Sequence, residues 1–361
     1  MSNMFRSADS FNGDISSWNV SNGLNFGAMF RLTSQFNQPI GSWNTSSATE
    51  MSVMFDSATA FNQDLSSWNV VNIPTEPSGF DTGATAWVLP DSRPVWGTTG
   101  EDVDGQYQLI GGYTDTIERS TNGGVTFNNV ADSRDWSALG ISGTGQYALG
   151  GTFSSSTIQR STDFGLTWSD TPYSASQVRT ISISKSGQYQ LYGSLSTPSN
   201  KLKISSDFGV TFASASLALT EDVYGSAISD SGQYMSIATL NGLVYTSSDY
   251  GSTWQSRLSS NSWRSITMTG DGQTQLATGT NLNVWVSTDF GVNWTEKPNT
   301  GYANRDISIS SDGSVCYLVG NPQRLYKSED LFDSGVTMLL PTMNYFVSVA
   351  TSGNGQYVSY F

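Results

Sequence analysis

The 361-residue sequence contains no histidine and a single cysteine, Cys316. Without histidine the chain lacks both the side chain that most often moves protons near neutral pH and the most frequent zinc ligand. One cysteine rules out an intrachain disulfide and a thiolate metal cluster, so no metal and no cofactor are expected. Charge is scarce too, at 13% of residues, and it runs acidic: 16 lysines and arginines against 30 aspartates and glutamates, a net charge of −14. That balance argues against nucleic acid or an anionic membrane as a partner. No apolar run reaches the length of a membrane span, so no membrane insertion is expected. Nor does Met1-Ser2-Asn3-Met4-Phe5-Arg6 offer the basic and apolar regions of a secretory leader. Either export follows another route, or the chain begins downstream of a missing segment.

What the chain has in quantity is glycine, 36 residues, and aromatic side chains, 12%, a composition of turns and packed strands rather than helices. Much of it belongs to one octapeptide, Ser161-Thr162-Asp163-Phe164-Gly165-Leu166-Thr167-Trp168. Copies begin at Ser120, Ser205, Ser247 and Ser287, with Asn122, Asp207, Asp249 and Asp289 in the acidic place. A sixth, worn copy is read at Asp333-Ser334-Gly335-Val336-Thr337. The glycines at 124, 165, 209, 251, 291 and 335 are 41, 44, 42, 40 and 44 residues apart, the period of a propeller blade. Asp and Ser oxygens close a tight loop by accepting backbone N–H bonds, and the glycine supplies a positive φ. The octapeptide resembles the Asp-box, or BNR repeat, of sialidases and related propellers. That resemblance implies a structural role for Asn122, Asp163, Asp207, Asp249, Asp289 and Asp333, on the face opposite the active site.

A second marker interleaves with the first. Gly-Gln-Tyr turns begin at Gly105, Gly145, Gly187, Gly232 and Gly355, with variants at Gly272 and Gly313. Each follows an alternating stretch such as Thr180-Ile181-Ser182-Ile183-Ser184, a strand signal. The unit is therefore inner strand, Gly-Gln-Tyr hairpin, two middle strands' worth of chain, octapeptide hairpin and outer strand, which makes a four-stranded blade. Seven turns against six octapeptides leave the count open. Seven blades are preferred over six because Trp96 aligns with Trp136 at a 40-residue step.

The N-terminal quarter repeats at 25 residues: Met4-Phe5, Met29-Phe30 and Met54-Phe55; Phe11-Asn12, Phe36-Asn37 and Phe61-Asn62; Trp18, Trp43 and Trp68. A strict step with apolar and Asn positions in phase is a solenoid signature, with short strands expected over 15–20 and its equivalents. The motif resembles the DUF285 or BspA-like repeats of surface proteins, relatives of leucine-rich repeats, which implies a stacked spacer or an adhesive surface. The fold expected is thus all-β: a short leucine-rich-repeat-like solenoid over 1–97 and an Asp-box β-propeller over 98–361.

In the propeller, Arg179, Tyr224, Arg264 and Arg305 recur near the starts of the inner strands, with Arg134 and Trp136 nearby in the second blade. Arginines converging on one mouth can bind a carboxylate or sulfate bidentately. The alternative is that they repeat a structural role. Glu221, Asp222 and Asp135 enter at the same end, and two carboxylates across a pocket are what glycoside hydrolysis needs. No catalytic constellation is assigned: the Arg-Ile-Pro motif of sialidases is missing, as is a tyrosine–glutamate pair. The function expected is a non-enzymatic recognition or structural protein on an extracellular surface or a virion, binding glycan or protein at the propeller mouth. A sialidase-like glycoside hydrolase is the runner-up, and an architectural spacer the third reading. Low-charge propellers with such turns resemble repeat proteins of large aquatic viruses. The apolar first coil and the uncharged strand at 357–361 suggest an oligomer or a place in a larger assembly.

Overall fold

The computed structural model describes residues 1–361 except 64, 66–67, 88–92, 95, 97–106, 113–114, 155–156, 176, 196–200, 281–282, 298–304, 321–323, 341–347, 354, 356–357 and 361. The chain divides into two compact units, Met1–Val103 and Asp104–Phe361. The boundary expected at 97/98 falls outside the described residues.

The first unit is a stack of coils. Amides three, five and seven of one coil donate to carbonyls 24 residues on: Asn3 to Gly27, Phe5 to Met29, Ser7 to Arg31. The same ladder joins the next coils, as in Phe30 to Met54 and, one residue further on, Phe55 to Phe80. Inside, like stacks on like. Phe5, Phe30 and Phe55 lie 5.7 and 5.5 Å apart, and Trp43 and Trp68 are parallel at 6.2 Å. The indoles of Trp43 and Trp68 donate to Ile15 and Ile40 of the preceding coil. Asn37 and Asn62 take their amide partners from Asn12 and Asn37 Oδ1. Strands were expected over 15–20 and its equivalents, but the coil-to-coil ladder runs through the turns at 3–7 instead. Two positions per coil there need a left-handed backbone: Asn3, Ala28 and Val53, then Ser7, Leu32 and Ser57, with Gly79 and Gly83 in the fourth coil. The turns, not the aromatic segments, present free backbone groups to the neighbouring coil.

The second unit is a six-bladed β-propeller. Blade 1 is a three-stranded sheet, β1 (Gln108–Ile110), β2 (Glu118–Ser120) and β3 (Asn128–Asn129). Five four-stranded antiparallel sheets follow in chain order: β4 (Trp136–Ile141) to β7 (Ser169–Asp170), β8 (Val178–Ile183) to β11 (Ala213–Ser214), β12 (Asp222–Ile228) to β15 (Gln255–Ser256), β16 (Trp263–Met268) to β19 (Thr295–Lys297), and β20 (Asp306–Ile309) to β23 (Thr337–Leu340). A strand pair, β24 (Val349–Thr351) and β25 (Val358–Tyr360), packs on β20 and β21 (Cys316–Gly320). Inner strands β4, β8, β12, β16, β20 and β24 pack one on the next.

The preference for seven blades does not hold. Trp96, aligned with Trp136 in the sequence, packs edge-on against Phe80 at 4.8 Å and belongs to the solenoid core. The seventh Gly-Gln-Tyr-type turn closes a two-stranded hairpin only. The apolar surface around Phe80 is the larger attraction for an indole, and a 40-residue step cannot distinguish it from a blade start.

The two sequence markers lock neighbouring blades together. The octapeptide aromatic donates its amide to the Gln carbonyl of its own blade's turn, as Phe164 does to Gln146 and Phe208 to Gln188. Its ring meets the turn tyrosine of the blade before: Tyr107 with Phe164, Tyr147 with Phe208, Tyr189 with Tyr250, Tyr234 with Phe290, at 4.6–5.0 Å. Beneath each such tyrosine lies the next blade's turn glycine; a Cβ on Gly187 would stand 2.3 Å from Tyr147. Glycine is required there by close approach as well as by its φ of +82°.

Candidate functional site

Within the octapeptides the acidic residue is structural. In the third blade Ser205 Oγ donates to Asp207 Oδ1 at 2.8 Å and accepts from the Gly209 amide at 2.9 Å. The Thr211 amide and hydroxyl close on the two oxygens of the same carboxylate. Asp163, Asp249 and Asp289 repeat the scheme, and Asn122 keeps the first oxygen's bonds. The Thr253 hydroxyl and amide hold Asp249 below the usual carboxylate value. In the sixth copy the register differs from the one expected. Ser328 and Asp330 make these bonds, Phe332 at φ 67° takes the glycine's place and Ser334 the threonine's. Asp333 occupies the variable place between them; its amide donates to the Asp330 carbonyl and its carboxylate pairs with Lys297. The misreading follows from substitution of the two most recognisable positions at once.

The opposite ends of the inner strands are different. First and third strands of an antiparallel blade run the same way, so the Gly-Gln-Tyr and octapeptide hairpins share one face. The inner strands begin at the other. There the pairing of first with second strand slips by one residue in four consecutive blades: between Trp136 and Ala138, Val178 and Thr180, Val223 and Gly225, and Trp263 and Ser265. The unpaired residues are Ser137, Arg179, Tyr224 and Arg264. A bulge turns its extra side chain out of the alternating pattern and is a recurrent way of aiming a residue.

Three of these four form a row. The Arg179 guanidinium lies 5.0 Å from the Phe153 ring centre and 5.5 Å from that of Tyr224, and Arg264 approaches Tyr224 to 5.4 Å. Arg264 Nε also donates to Thr280. Among the described residues neither guanidinium has a carboxylate within ion-pair distance. Arg305 holds the corresponding position before β20, where its amide donates to Val319, and its side chain is exposed and makes none of the ring contacts of the row. Arg134 and Trp136 are not part of it either. Arg134 bonds Thr157 at 3.0 Å, approaches Asp170 at 3.5 Å and covers Trp136, while Trp136 is buried against Trp168.

Two of the carboxylates at this end are engaged. Asp135 accepts from the amide and hydroxyl of Ser154. Asp222 pairs with Lys201 at 2.6 Å, whose ammonium also donates to the Thr220 carbonyl. Burial and then the charge of Glu221 push the Tyr245 hydroxyl up. Among the described residues no group of three potential ligands is placed to hold a metal ion.

Sequence inspection missed Asp306. Its Oδ1 accepts from Ser265 Oγ at 2.6 Å and the Ile307 amide at 3.0 Å; its Oδ2 accepts from Ser348 Oγ at 2.5 Å and the Val349 amide at 2.9 Å. One carboxyl thus ties together β16, β20 and β24. It keeps some accessible surface although protein crowds it from every side, and that enclosure pushes its pKa up in spite of four donors. Its signal was available. Ser265, Asp306 and Ser348 each stand seven residues before a turn glycine.

Residues 1–86 match the family described as "Mycoplasma protein of unknown function, DUF285". The propeller is similar to the hydrazine synthase of Kuenenia stuttgartiensis, at TM-score 0.57 and 15% identity over 71% of this chain and 89% of that one. It is also similar to an ancestral GH74 enzyme, at TM-score 0.51 and 17% identity over 63% of this chain and 34% of the other. The GH74 xyloglucanase from Xanthomonas campestris gives 0.50 and 15%, over 63% and 43%. The chain spans about a third to under half the length of the GH74 enzymes. At these identities the likeness establishes the fold alone. No curated protein matches the sequence.

Proposed function

We propose that this chain is a non-enzymatic recognition protein of an extracellular surface or virion, whose propeller binds a glycan at the face where the inner strands begin. The observation that carries it is the row of Arg179, Tyr224 and Arg264, mounted on successive bulges. A bulge interrupts a ladder that would otherwise be continuous, so a repeated bulge bearing two arginines without acidic partners among the described residues favours a ligand over a packing role. The GH74 likeness would suit a glycoside hydrolase, but Asp222 and Asp135 are committed to Lys201 and Ser154. The octapeptides are then Asp-boxes acting as blade closures, and the DUF285 region is a stacked spacer.

Screening the full chain against immobilised neutral and acidic glycans tests this directly. Binding is expected, and it should fall at least tenfold in an Arg179→Gln, Arg264→Gln double variant. Equal binding by the double variant, or turnover of a bound glycan, would remove the proposal.

A further inference from the structure

The row has a spacing, and the spacing selects a ligand. Tyr224 stands on β12, with β8 and β16 packed on its two sides, so its ring is sandwiched between two guanidiniums. The centroid distances, 5.5 Å for Arg179 and 5.4 Å for Arg264, add to an upper bound of about 11 Å between the guanidinium carbons. With Arg179 on β8 and Arg264 on β16, the ring lies between the two and holds them apart. One carboxylate or sulfate bonded to both would need each guanidinium carbon within roughly 4 Å of its central atom. The ring prevents that approach. The arginines therefore do not converge on one anion, as a cluster at a common mouth suggests; each is left to engage its own. In Arg264 the Nε–H is taken by Thr280, which leaves the terminal N–H groups to meet an acid group; Arg179 offers its N–H groups likewise.

Resting on the glycan reading above, we infer that the ligand is a linear acidic polysaccharide with one carboxylate on every second sugar, adjacent acids meeting Arg179 and Arg264. Two pyranose rings span a gap of this size. Nucleic acid carries a phosphate every ~3.4 Å of strand, far denser than the row can use. The protein's net charge of −14 also repels a dense polyanion more than a sparse one. Tyr224 then acts as a positioning residue that sets the distance between the two charges, and its ring faces are not available for stacking on sugar.

The test is calorimetric titration of the full chain with a hexasaccharide of alternating glucuronate and N-acetylglucosamine, the same hexasaccharide with its carboxyls reduced, and free glucuronate. The intact hexasaccharide should bind, the reduced one at least 100-fold more weakly, and the monosaccharide not measurably. Arg179→Gln and Arg264→Gln should each weaken binding about tenfold and the double variant about 100-fold, because separate charges contribute independently. Tyr224→Phe should bind as the parent does, and Tyr224→Leu, which removes the spacer, should weaken binding. Arg305→Gln should have no effect. A single variant as weak as the double, or free glucuronate binding as well as the hexasaccharide, would show a convergent site and overturn the inference. If the reduced hexasaccharide binds as tightly as the acidic one, the glycan reading survives and the charge spacing fails. If neither binds, both fail.

Discussion

Replacing Asp306 with alanine should loosen the last strands of the propeller. The carboxyl accepts four hydrogen bonds from three inner strands. Their loss is uneven. The Ile307 amide lies 3.3 Å from Ser265 Oγ and keeps that acceptor, and the two serine hydroxyls can rotate. Among the described residues the Val349 amide has no second acceptor and is left buried, a cost of about 1–3 kcal/mol. Loss of two charge-assisted hydroxyl bonds adds to this, and relief of the carboxyl's own desolvation offsets part of it. The net expectation is about 2–3 kcal/mol, or a fall in Tm of roughly 5–10 °C for a unit of this size. Thermal unfolding followed by tryptophan fluorescence reads it. The pH dependence is a sharper check. A carboxyl whose folded pKa is raised binds its proton more tightly in the folded state, so its contribution is complete below the unfolded value near 4 and is lost as pH rises through the folded value. The stability of the parent relative to Asp306→Asn should therefore be greatest in acid and decline upward from about pH 4. If the difference grows with pH instead, the four donors outweigh burial and the raised pKa is refuted. If Asp306→Ala melts within a degree of the parent, the carboxyl does not hold β24.

Asp249 should behave in the opposite sense. Its pKa is lowered first by the Thr253 hydroxyl, so its stabilisation is present above the unfolded value and lost as pH falls through the folded one; Asp249→Asn should make acid unfolding, followed by circular dichroism, less steep below about pH 4. Trp68 is fully buried and bonded to Ile40, so Trp68→Ala should cost about 3–5 kcal/mol and abolish the cooperative melting of the first unit in calorimetry. Val53 is a β-branched residue at φ 48°; Val53→Gly, copying Gly79 of the fourth coil, should raise stability in urea titration by about 0.5–1 kcal/mol. Burial pushes the Cys316 thiol up to about 12, so maleimide should label the protein only after unfolding.

The propeller was legible because its turns are chemically demanding: only certain residues close the octapeptide loop, and they recur. Where those residues were replaced, legibility failed, which is how Asp333 was taken for Asp330. Trp96 misled for a related reason, since an aromatic at the right step is compatible with either unit and tertiary packing decides. The row of Arg179, Tyr224 and Arg264 was legible as a repeated position eight residues before a turn glycine. Its bulges were not, because a slipped register changes hydrogen bonding without changing residue type. The slip brings these residues into one row, with the Tyr224 ring in contact with both arginines the sequence suggested would converge. Arg134 was grouped with them on proximity, although Asp170 and Thr157 occupy it. Asp306 went unnoticed among ordinary solvated acids, for nothing short of three adjacent inner strands shows what it holds.

The tyrosine that each turn lays over the next blade's glycine is not repeated to the end of the ring. Tyr107, Tyr147, Tyr189 and Tyr234 make the contact, but the same place is Thr274 in the fifth blade and Val315 in the sixth, where only a small side chain reaches toward Gly355. Repeat arrays derive their cooperativity from such nearest-neighbour contacts. The ring is therefore graded. Fluctuations should begin at its C-terminal blades and travel backward, so that amide exchange is fastest around β20 to β25 and slowest in the blades from β4 to β15. Fraying would then reach Arg264 before it reaches Arg179, and the two halves of the arginine row would differ in how long they stay in place.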